Sequence, residues 1–223
     1  NMLALKQALS LVSTRKLGSA WSPADESSLE AWWQNREGVT LNGSDISQWD
    51  DSSTNTNDLT QVTASRQPAY SLGILTFDGT GHNMTCPQLS LAAFTVGIRG
   101  DFTGVSGRTI IGDDDAGNEF IKFKNSTTLT LRVSAGNVDF ALASGVWGDG
   151  YITITRDASD LVSATYNGAA LGTPQTRANT VKIDNLGYSS TAGYYTGTIK
   201  EVQIYTSSST DLTANINTRL ATL

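Results

Sequence analysis

Cysteine and histidine are almost missing from this chain, which has one of each in 223 residues. A single cysteine cannot form an internal disulfide. One cysteine and one histidine together supply too few ligands for a thiolate zinc site. No apolar run approaches the roughly 18 residues that a membrane-spanning helix needs. A formal net charge of −6 argues against a nucleic-acid-binding surface. We therefore expect neither a membrane nor a nucleic acid among the partners of this chain.

Apolar and polar residues alternate along much of the chain after residue 20. Leu129, Leu131 and Val133 alternate with Thr and Arg, and residues 151–155 repeat the pattern. This period of two predicts half-buried β-strands. Short turn-forming sequences that contain glycine separate such segments, for example Asn42-Gly43, Asp78-Gly79, Gly148-Asp149-Gly150 and Asn167-Gly168. Many short strands between tight turns predict an all-β fold, a two-sheet antiparallel sandwich.

A short helix is expected at the end of the chain. Leu212, Ile216 and Leu220 follow Asp211 at intervals of four, which puts the three apolar side chains on one helical face. We predict that this helix packs against the sandwich.

The first 20 residues differ from the rest in pattern and in charge. Apolar residues recur there at helical spacing, with a stripe formed by Met2, Leu5, Leu9 and Val12. The segment has three basic residues and no acid, and its final basic residues followed by a glycine are typical of a helix C-terminus. We therefore divide the chain into an amphipathic helical arm, 1–20, and a sandwich domain, 21–223.

The apolar stripe of the arm predicts an association surface. An isolated helix of about 16 residues is only marginally stable in water, and an exposed apolar stripe favours binding. We expect it to bind a partner protein or copies of the same chain. The alternative is that the arm folds back onto its own sandwich. A secretory signal is disfavoured, because Lys6, Gln7 and Ser10 interrupt the apolar centre that such a signal needs.

Several segments resemble a laminin G-like domain and follow the order of that family. They include 21–25 (WSPAD), 29–33 (LEAWW), 75–79 (LTFDG), 166–168 (YNG) and 195–205 (YTGTIKEVQIY). The resemblance covers about residues 21–223. It implies the jelly-roll sandwich of the concanavalin A-like lectin and glucanase superfamily.

The opening Trp-x-Pro-x-Asp, together with the short arm, most resembles structural proteins of tailed bacteriophage particles. This resemblance implies a non-enzymatic head decoration or tail-fibre component, made in the host cytoplasm and displayed on the virion surface among other virion proteins. The alternative function is a carbohydrate-binding module or adhesin that recognises a host-surface glycan, since fold alone does not fix function.

No familiar catalytic arrangement is visible in the sequence. Glucanases of this superfamily carry two Glu that flank an Asp at alternate positions of one strand, and the Glu residues of this chain never have that spacing. His82 and Cys86 are separated by roughly 13 Å if the segment is extended, which is beyond hydrogen-bond reach. We expect no enzyme activity, and carboxylates that converge from different strands remain the alternative.

Acidic residues concentrate in one segment, where Asp113, Asp114 and Asp115 are followed by Asn118. Crowded oxygen ligands suit calcium, which takes about 6 to 8 oxygens, and a cation relieves repulsion between like charges. We predict a calcium site in this loop. The alternative is a solvated hairpin tip.

Aromatic side chains are the candidate sugar contacts, because their faces pack well against apolar C–H surfaces. Trp32 and Trp33 are adjacent, so in a strand one of them faces outward. Tyr194 and Tyr195 lie in a loop rich in Ser, Thr and Gly, where tyrosine supplies contact area at low entropic cost. The predicted ligand contacts are Trp33, Tyr194 and Tyr195, with core packing as the alternative for the tryptophan.

Overall fold

The computed structural model describes residues 20–114, 119–134, 136–190 and 193–223. Its first nine strands are β1 (Leu29–Trp33), β2 (Val39–Asn42), β3 (Asp45–Trp49), β4 (Leu59–Thr60), β5 (Ala69–Ser71), β6 (Ile74–Asp78), β7 (Met84–Leu91), β8 (Phe94–Asp101) and β9 (Arg108–Gly112). The later strands are β10 (Phe120–Phe123), β11 (Thr128–Val133), β12 (Gly136–Ala141), β13 (Asp149–Arg156), β14 (Leu161–Tyr166), β15 (Ala169–Ala170), β16 (Gln175–Thr176), β17 (Val181–Leu186) and β18 (Thr196–Tyr205). Helix α1 (Thr210–Leu220) follows, and short 3-10 turns occupy Pro23–Asp25 and Ala64–Arg66. The predicted arm with Met2, Leu5, Leu9 and Val12 lies outside the described residues.

Antiparallel pairing arranges these strands in two layers. The first layer has the order β14, β13, β8, β18, and β18 continues to β1 along one part and to β6 along another. The second has the order β12, β11, β10, β9, β17, β7, and β4 extends it to β3 and β2. Strand β5 pairs with both β3 and β6 and so joins the layers. The chain is thus the all-β jelly-roll sandwich that the sequence predicts.

The alternation in β11 decides which of its side chains enter the core. Leu129 and Leu131 are fully buried and lie opposite Phe140 and Val138 of β12. Successive side chains of a strand point to opposite faces, so Arg132 lies on the outer face of the second layer. This outer face carries the features described below.

One predicted turn is confirmed and another is wrong. Asn167-Gly168 connects β14 to β15 with φ values of 49° and 78°, as a tight hairpin turn requires. Asp149, in contrast, begins β13, where Arg99 donates two hydrogen bonds to its carboxylate at 2.9 and 2.6 Å. A Cβ at position 150 would lie 2.4 Å from Asn167 Oδ1, so the small size of Gly150 serves a close approach and not a turn.

Helix α1 forms where its periodicity predicts and covers the outer face of the first layer. The Ser209 hydroxyl accepts a hydrogen bond from the Leu212 N–H at 3.0 Å and caps the helix. Ile216 packs over Gly97 of β8, where an added Cβ would lie 2.6 Å from Ile216 Cγ2. Leu220 is fully buried as well. Among the described residues, no helix has the length and apolar character to cross a membrane.

Candidate functional site

Trp33 is buried in the core, which corrects its prediction as a ligand contact. Its side chain is 0% exposed, and its indole N–H donates to the Asn57 carbonyl at 2.9 Å. Trp32 faces the other side of β1 but is only 6% exposed, because the Arg219 guanidinium of α1 lies 4.8 Å from its ring. Both adjacent aromatic residues are therefore buried, since a helix covers the face of the sheet that would otherwise meet solvent.

Tyr195 is also buried, and its prediction as a ligand contact is wrong. It is 0% exposed, its hydroxyl donates to the Asp101 carbonyl at 3.1 Å, and its ring packs edge-on against Phe77. Burial, followed by the charge of Asp101, raises the pKa of this hydroxyl well above its ordinary value. Tyr195 anchors its loop to the sandwich.

Tyr194 remains partly exposed and stacks on Tyr188, which is partly exposed as well. The ring centroids are 4.5 Å apart and the ring planes differ by 29°. We call these two residues the tyrosine pair. The sequence analysis missed Tyr188, although each member of the pair directly follows a glycine, and this repeated Gly-Tyr was the available signal. The pair presents aromatic surface beside hydroxyl groups.

The loop that carries the tyrosine pair, described at residues 187–190 and 193–195, is fixed at both ends. The Gly187 N–H donates to the Ile110 carbonyl of β9, and the Tyr195 N–H donates to the Gly187 carbonyl, each at 2.7 Å. Ser189 is fully buried over Gly112, where an added Cβ would lie 2.6 Å from Ser189 Cβ. The loop therefore folds over the outer face of β9.

Asp113 and Asp114, at the end of β9, meet Asp184 of β17. One carboxylate oxygen from each of the three lies within 4.8 Å of the others. We call this group the acidic cluster. The predicted ligands Asp115 and Asn118 lie outside the described residues. The sequence analysis missed Asp184 because it lies 70 residues from Asp114, and the two approach only through the pairing of β17 with β9.

Crowding raises the pKa values of carboxyl groups here. Burial and the charges of Asp114 and Asp113 raise the pKa of Asp184 to about 7, although the Asp114 N–H donates to it at 3.0 Å. Burial, and then contact with Asp113, raises the pKa of Glu119, which is 5% exposed. No donor among the described residues reaches Glu119 Oε2. Carboxylates in such contact need a proton or a cation between them, and an all-oxygen donor set suits calcium.

The acidic cluster adjoins the loop of the tyrosine pair. The Ser190 N–H donates to the Asp113 carbonyl at 3.4 Å. A cation held by the cluster would therefore act on the backbone segment that positions the two aromatic rings.

His82 and Cys86 have different surroundings. His82 precedes β7 and lies 3.8 Å from Asp78, whereas Cys86 lies within β7. Burial, with smaller contributions from Asp184 and Asp51, raises the pKa of the Cys86 thiol to about 12. A raised pKa disfavours the thiolate, which is the nucleophilic form of a cysteine.

No protein-family model and no curated protein sequence matches this chain. Solved structures match it in fold. Trypanosoma rangeli sialidase aligns with a TM-score of 0.61 and 14% identity, over 88% of this chain and 33% of the sialidase chain. A variant of HCR/D aligns with a TM-score of 0.58 and 14% identity, over 87% of this chain and 51% of that one. A SAP-like pentraxin of Limulus polyphemus aligns with a TM-score of 0.51 and 15% identity, over 66% and 80% of the two chains.

These likenesses agree with the strand pairing and show a concanavalin-like jelly-roll sandwich. The chain spans about a third of the sialidase chain that it matches.

Proposed function

We propose that this chain is a non-enzymatic carbohydrate-binding sandwich domain and that the tyrosine pair is its sugar-contacting surface. The observation that carries the proposal is the stack of Tyr188 on Tyr194, partly exposed on a loop that is anchored at both ends. Sugar rings offer apolar C–H faces that pack on aromatic rings, and tyrosine hydroxyls add hydrogen bonds. Fixed rings lose little conformational entropy on binding.

The structures that share this fold support the proposal. One of the matching sialidase structures is a complex with sialic acid. Because this chain covers 33% of that protein, the sialidase activity does not transfer to it. The support lies in the occurrence of the same sandwich in a protein that binds a sugar.

We also propose calcium as the cation of the acidic cluster, with oxygens of Asp113, Asp114 and Asp184 as ligands and Glu119 beside them. A divalent cation would remove the repulsion that raises the pKa of Asp184. Through the Ser190 contact with Asp113, it would also hold the loop of the tyrosine pair in place.

The proposal gives these carboxylates no hydrolytic role. A glycosidase places its two carboxyl groups about 5 to 9.5 Å apart on either side of a bound sugar. One oxygen from each carboxylate of the acidic cluster lies within 4.8 Å of the others, close enough for one shared cation.

The setting that we propose is the surface of a bacteriophage particle, where the sandwich is displayed as a head decoration or tail-fibre component. This step depends on the resemblance of residues 21–25, in which Pro23–Asp25 form a 3-10 turn capped by Ser22 and Asp25. Residues 1–20 would join the sandwich to other virion proteins or to copies of the chain. Deleting residues 1–18 should abolish assembly without lowering the melting temperature. A large drop in melting temperature with assembly intact would contradict this role of the arm.

A glycan array tests the carbohydrate-binding proposal. The wild-type chain should retain a defined set of saccharides, and Tyr188→Ala should lose them. Tyr70→Ala serves as the matched control, because Tyr70 is a partly exposed tyrosine on β5, outside the tyrosine-pair loop. If the wild type retains no saccharide at millimolar concentration, the proposal is wrong.

A further inference from the structure

A groove on the outer face of the second layer is lined by basic, polar and aromatic side chains. Its volume is about 180 Å³, and its lining consists of Phe120, Lys122, Lys124, Thr130, Arg132 and Asn137. We call it the cationic groove. Its lining contains three basic side chains and no acidic one, although the whole chain has a net charge of −6.

Strand register brings these side chains together. Phe120 and Lys122 of β10 lie opposite Arg132 and Thr130 of β11. Arg132 in turn lies opposite Asn137 of β12. The groove is therefore built from alternate residues of three neighbouring strands, and its backbone is fixed by the same ladders that hold the core.

Two of the cations share one aromatic ring. Lys122 Nζ lies 5.1 Å from the centroid of the Phe120 ring, and the Arg132 guanidinium carbon lies 5.9 Å from it. Within the part of the chain that the structure describes, neither side chain forms an ion pair with a carboxylate. Arg132 Nε donates to the Ser134 carbonyl at 3.2 Å, but neither positive charge is paired with a negative one among the described residues, and both lie beside the same aromatic ring.

The third cation is neutralised and belongs to the wall of the groove. Lys124 Nζ lies 2.6 Å from Asp139 Oδ2, and the Thr130 hydroxyl donates to Asp139 Oδ1 at 2.6 Å. Burial opposes ionisation of Asp139, but hydrogen bonds from Lys124 and Thr130 outweigh it and lower the pKa of this carboxyl group. Lys122 and Arg132 are therefore the two charges that face a ligand.

The cationic groove and the tyrosine pair lie on the same face of the sheet. Phe120 is the register partner of Gly112 on β9. A Cβ added to Gly112 would lie 3.0 Å from the Tyr188 carbonyl oxygen, so the loop of the tyrosine pair covers that position. Neighbouring strands are about 4.8 Å apart, so the groove and this loop are neighbours on the outer face of the sheet.

We propose that the cationic groove binds the anionic group of an acidic saccharide, a carboxylate or a sulfate, while the attached sugar contacts the tyrosine pair. The inference rests on the proposed carbohydrate-binding function and names its ligand class. Lysine and arginine form charge-assisted hydrogen bonds with such oxygens. At about 180 Å³, the groove is smaller than pockets for drug-sized ligands, which occupy about 300 to 1,000 Å³, and so admits a single charged substituent or sugar unit.

The test measures affinities of the full chain for four probes: 3′-sialyllactose, sulfated lactose, neutral lactose and inorganic sulfate. The variant is the double substitution Lys122→Gln and Arg132→Gln. It keeps a polar amide group at each position and removes both positive charges. Lys182→Gln with Arg66→Gln is the matched control, because both of those side chains are exposed outside the groove. Circular dichroism and melting temperature establish that each variant is folded.

The wild type should bind at least one acidic probe about tenfold or more tightly than neutral lactose, and the groove variant should lose this preference, as expected for charge-assisted contacts. The control variant should retain it. Equal affinities of the wild type for acidic and neutral sugars would overturn the groove assignment and leave the carbohydrate-binding function standing. Inorganic sulfate that binds as tightly as the acidic sugars would overturn the saccharide part of the inference. Loss of all saccharide binding in Tyr188→Ala, with only the acidic preference lost in the groove variant, would support both proposals separately.

Discussion

Arg219 of α1 donates two hydrogen bonds to the carboxylate of Glu201 in β18, at 2.6 and 3.0 Å. Glu201 is 0% exposed. Its carboxylate also accepts hydrogen bonds from the Trp32 indole and the Gln203 amide, at 3.0 and 2.7 Å. A charge buried this fully is tolerated only because donors surround it. The position of the helix on the sandwich therefore depends on this pair.

Arg219→Leu should lower the free energy of unfolding by about 3 kcal/mol, because it leaves the Glu201 carboxylate without its counter-charge. Urea unfolding measures the loss. Adding Glu201→Gln to the Arg219→Leu chain should recover part of it, since the buried charge is then removed. A loss below about 1 kcal/mol, as for an exposed ion pair, would show that the pair does not hold the helix.

Gly97→Ala should displace α1 and cost about 1 to 3 kcal/mol, in the range of overpacked cores. The added methyl group would lie 2.6 Å from Ile216 Cγ2. In an Ile216→Ala background the cost should shrink, because the clashing atom is gone, so the two effects should not add. Gly81→Ala is the control, since its Cβ would approach nothing closer than 4.0 Å. Equal losses for Gly97→Ala and Gly81→Ala would contradict the close packing of helix on strand.

Local patterns predicted the strands and α1, but they did not predict what covers each face. Leu129 and Leu131 fill the core as their alternation predicts, and Leu220 is buried between α1 and the sandwich as its helical spacing predicts. Trp33 was misassigned because alternation alone does not reveal which of two adjacent tryptophans faces the core, and Tyr195 because composition does not reveal that its ring packs against Phe77. The alternation of β10 gave no hint that Lys122 and Arg132 would share one ring, since register across a hairpin depends on the turn.

The candidate site was predicted only where its residues are neighbours in sequence. Asp113 and Asp114 were visible as a run of acids, whereas Asp184 joins them through pairing of distant strands. Tyr188 and Tyr194 likewise lie in a segment whose ends are joined by the hydrogen bond from the Tyr195 N–H to the Gly187 carbonyl, which composition does not encode. Long-range register, and not residue type, is the missing information.

Calcium should raise the melting temperature by about 5 °C at pH 8 and by much less at pH 5, given a concentration near a hundred times the dissociation constant. The direction of this pH dependence follows from Asp184, whose pKa rises from 3.8 to about 7 on folding. A raised carboxyl pKa means that the metal-free fold binds the extra proton. Its stability therefore falls as the pH rises through this interval. A cation replaces the proton above pH 7 and restores stability.

Asp184→Asn should abolish the calcium-dependent rise in melting temperature. Glu37→Gln, at an exposed acid outside the cluster, should leave the rise unchanged. The calcium assignment fails if the melting temperature of the wild type at pH 8 is the same with calcium and with a chelator.

The most direct measurement is the affinity of the chain for the tightest saccharide found on the array, determined by calorimetric titration for three proteins. These are the wild type, the double variant Tyr188→Ala with Tyr194→Ala, and the double variant Tyr188→Phe with Tyr194→Phe. Stacking on two rings predicts that the alanine variant binds at least about tenfold more weakly, a loss of about 1.4 kcal/mol. The phenylalanine variant, which keeps both rings, should retain most of the affinity. A folded alanine variant that binds the saccharide as tightly as the wild type would contradict the assignment of the tyrosine pair as the sugar-binding surface.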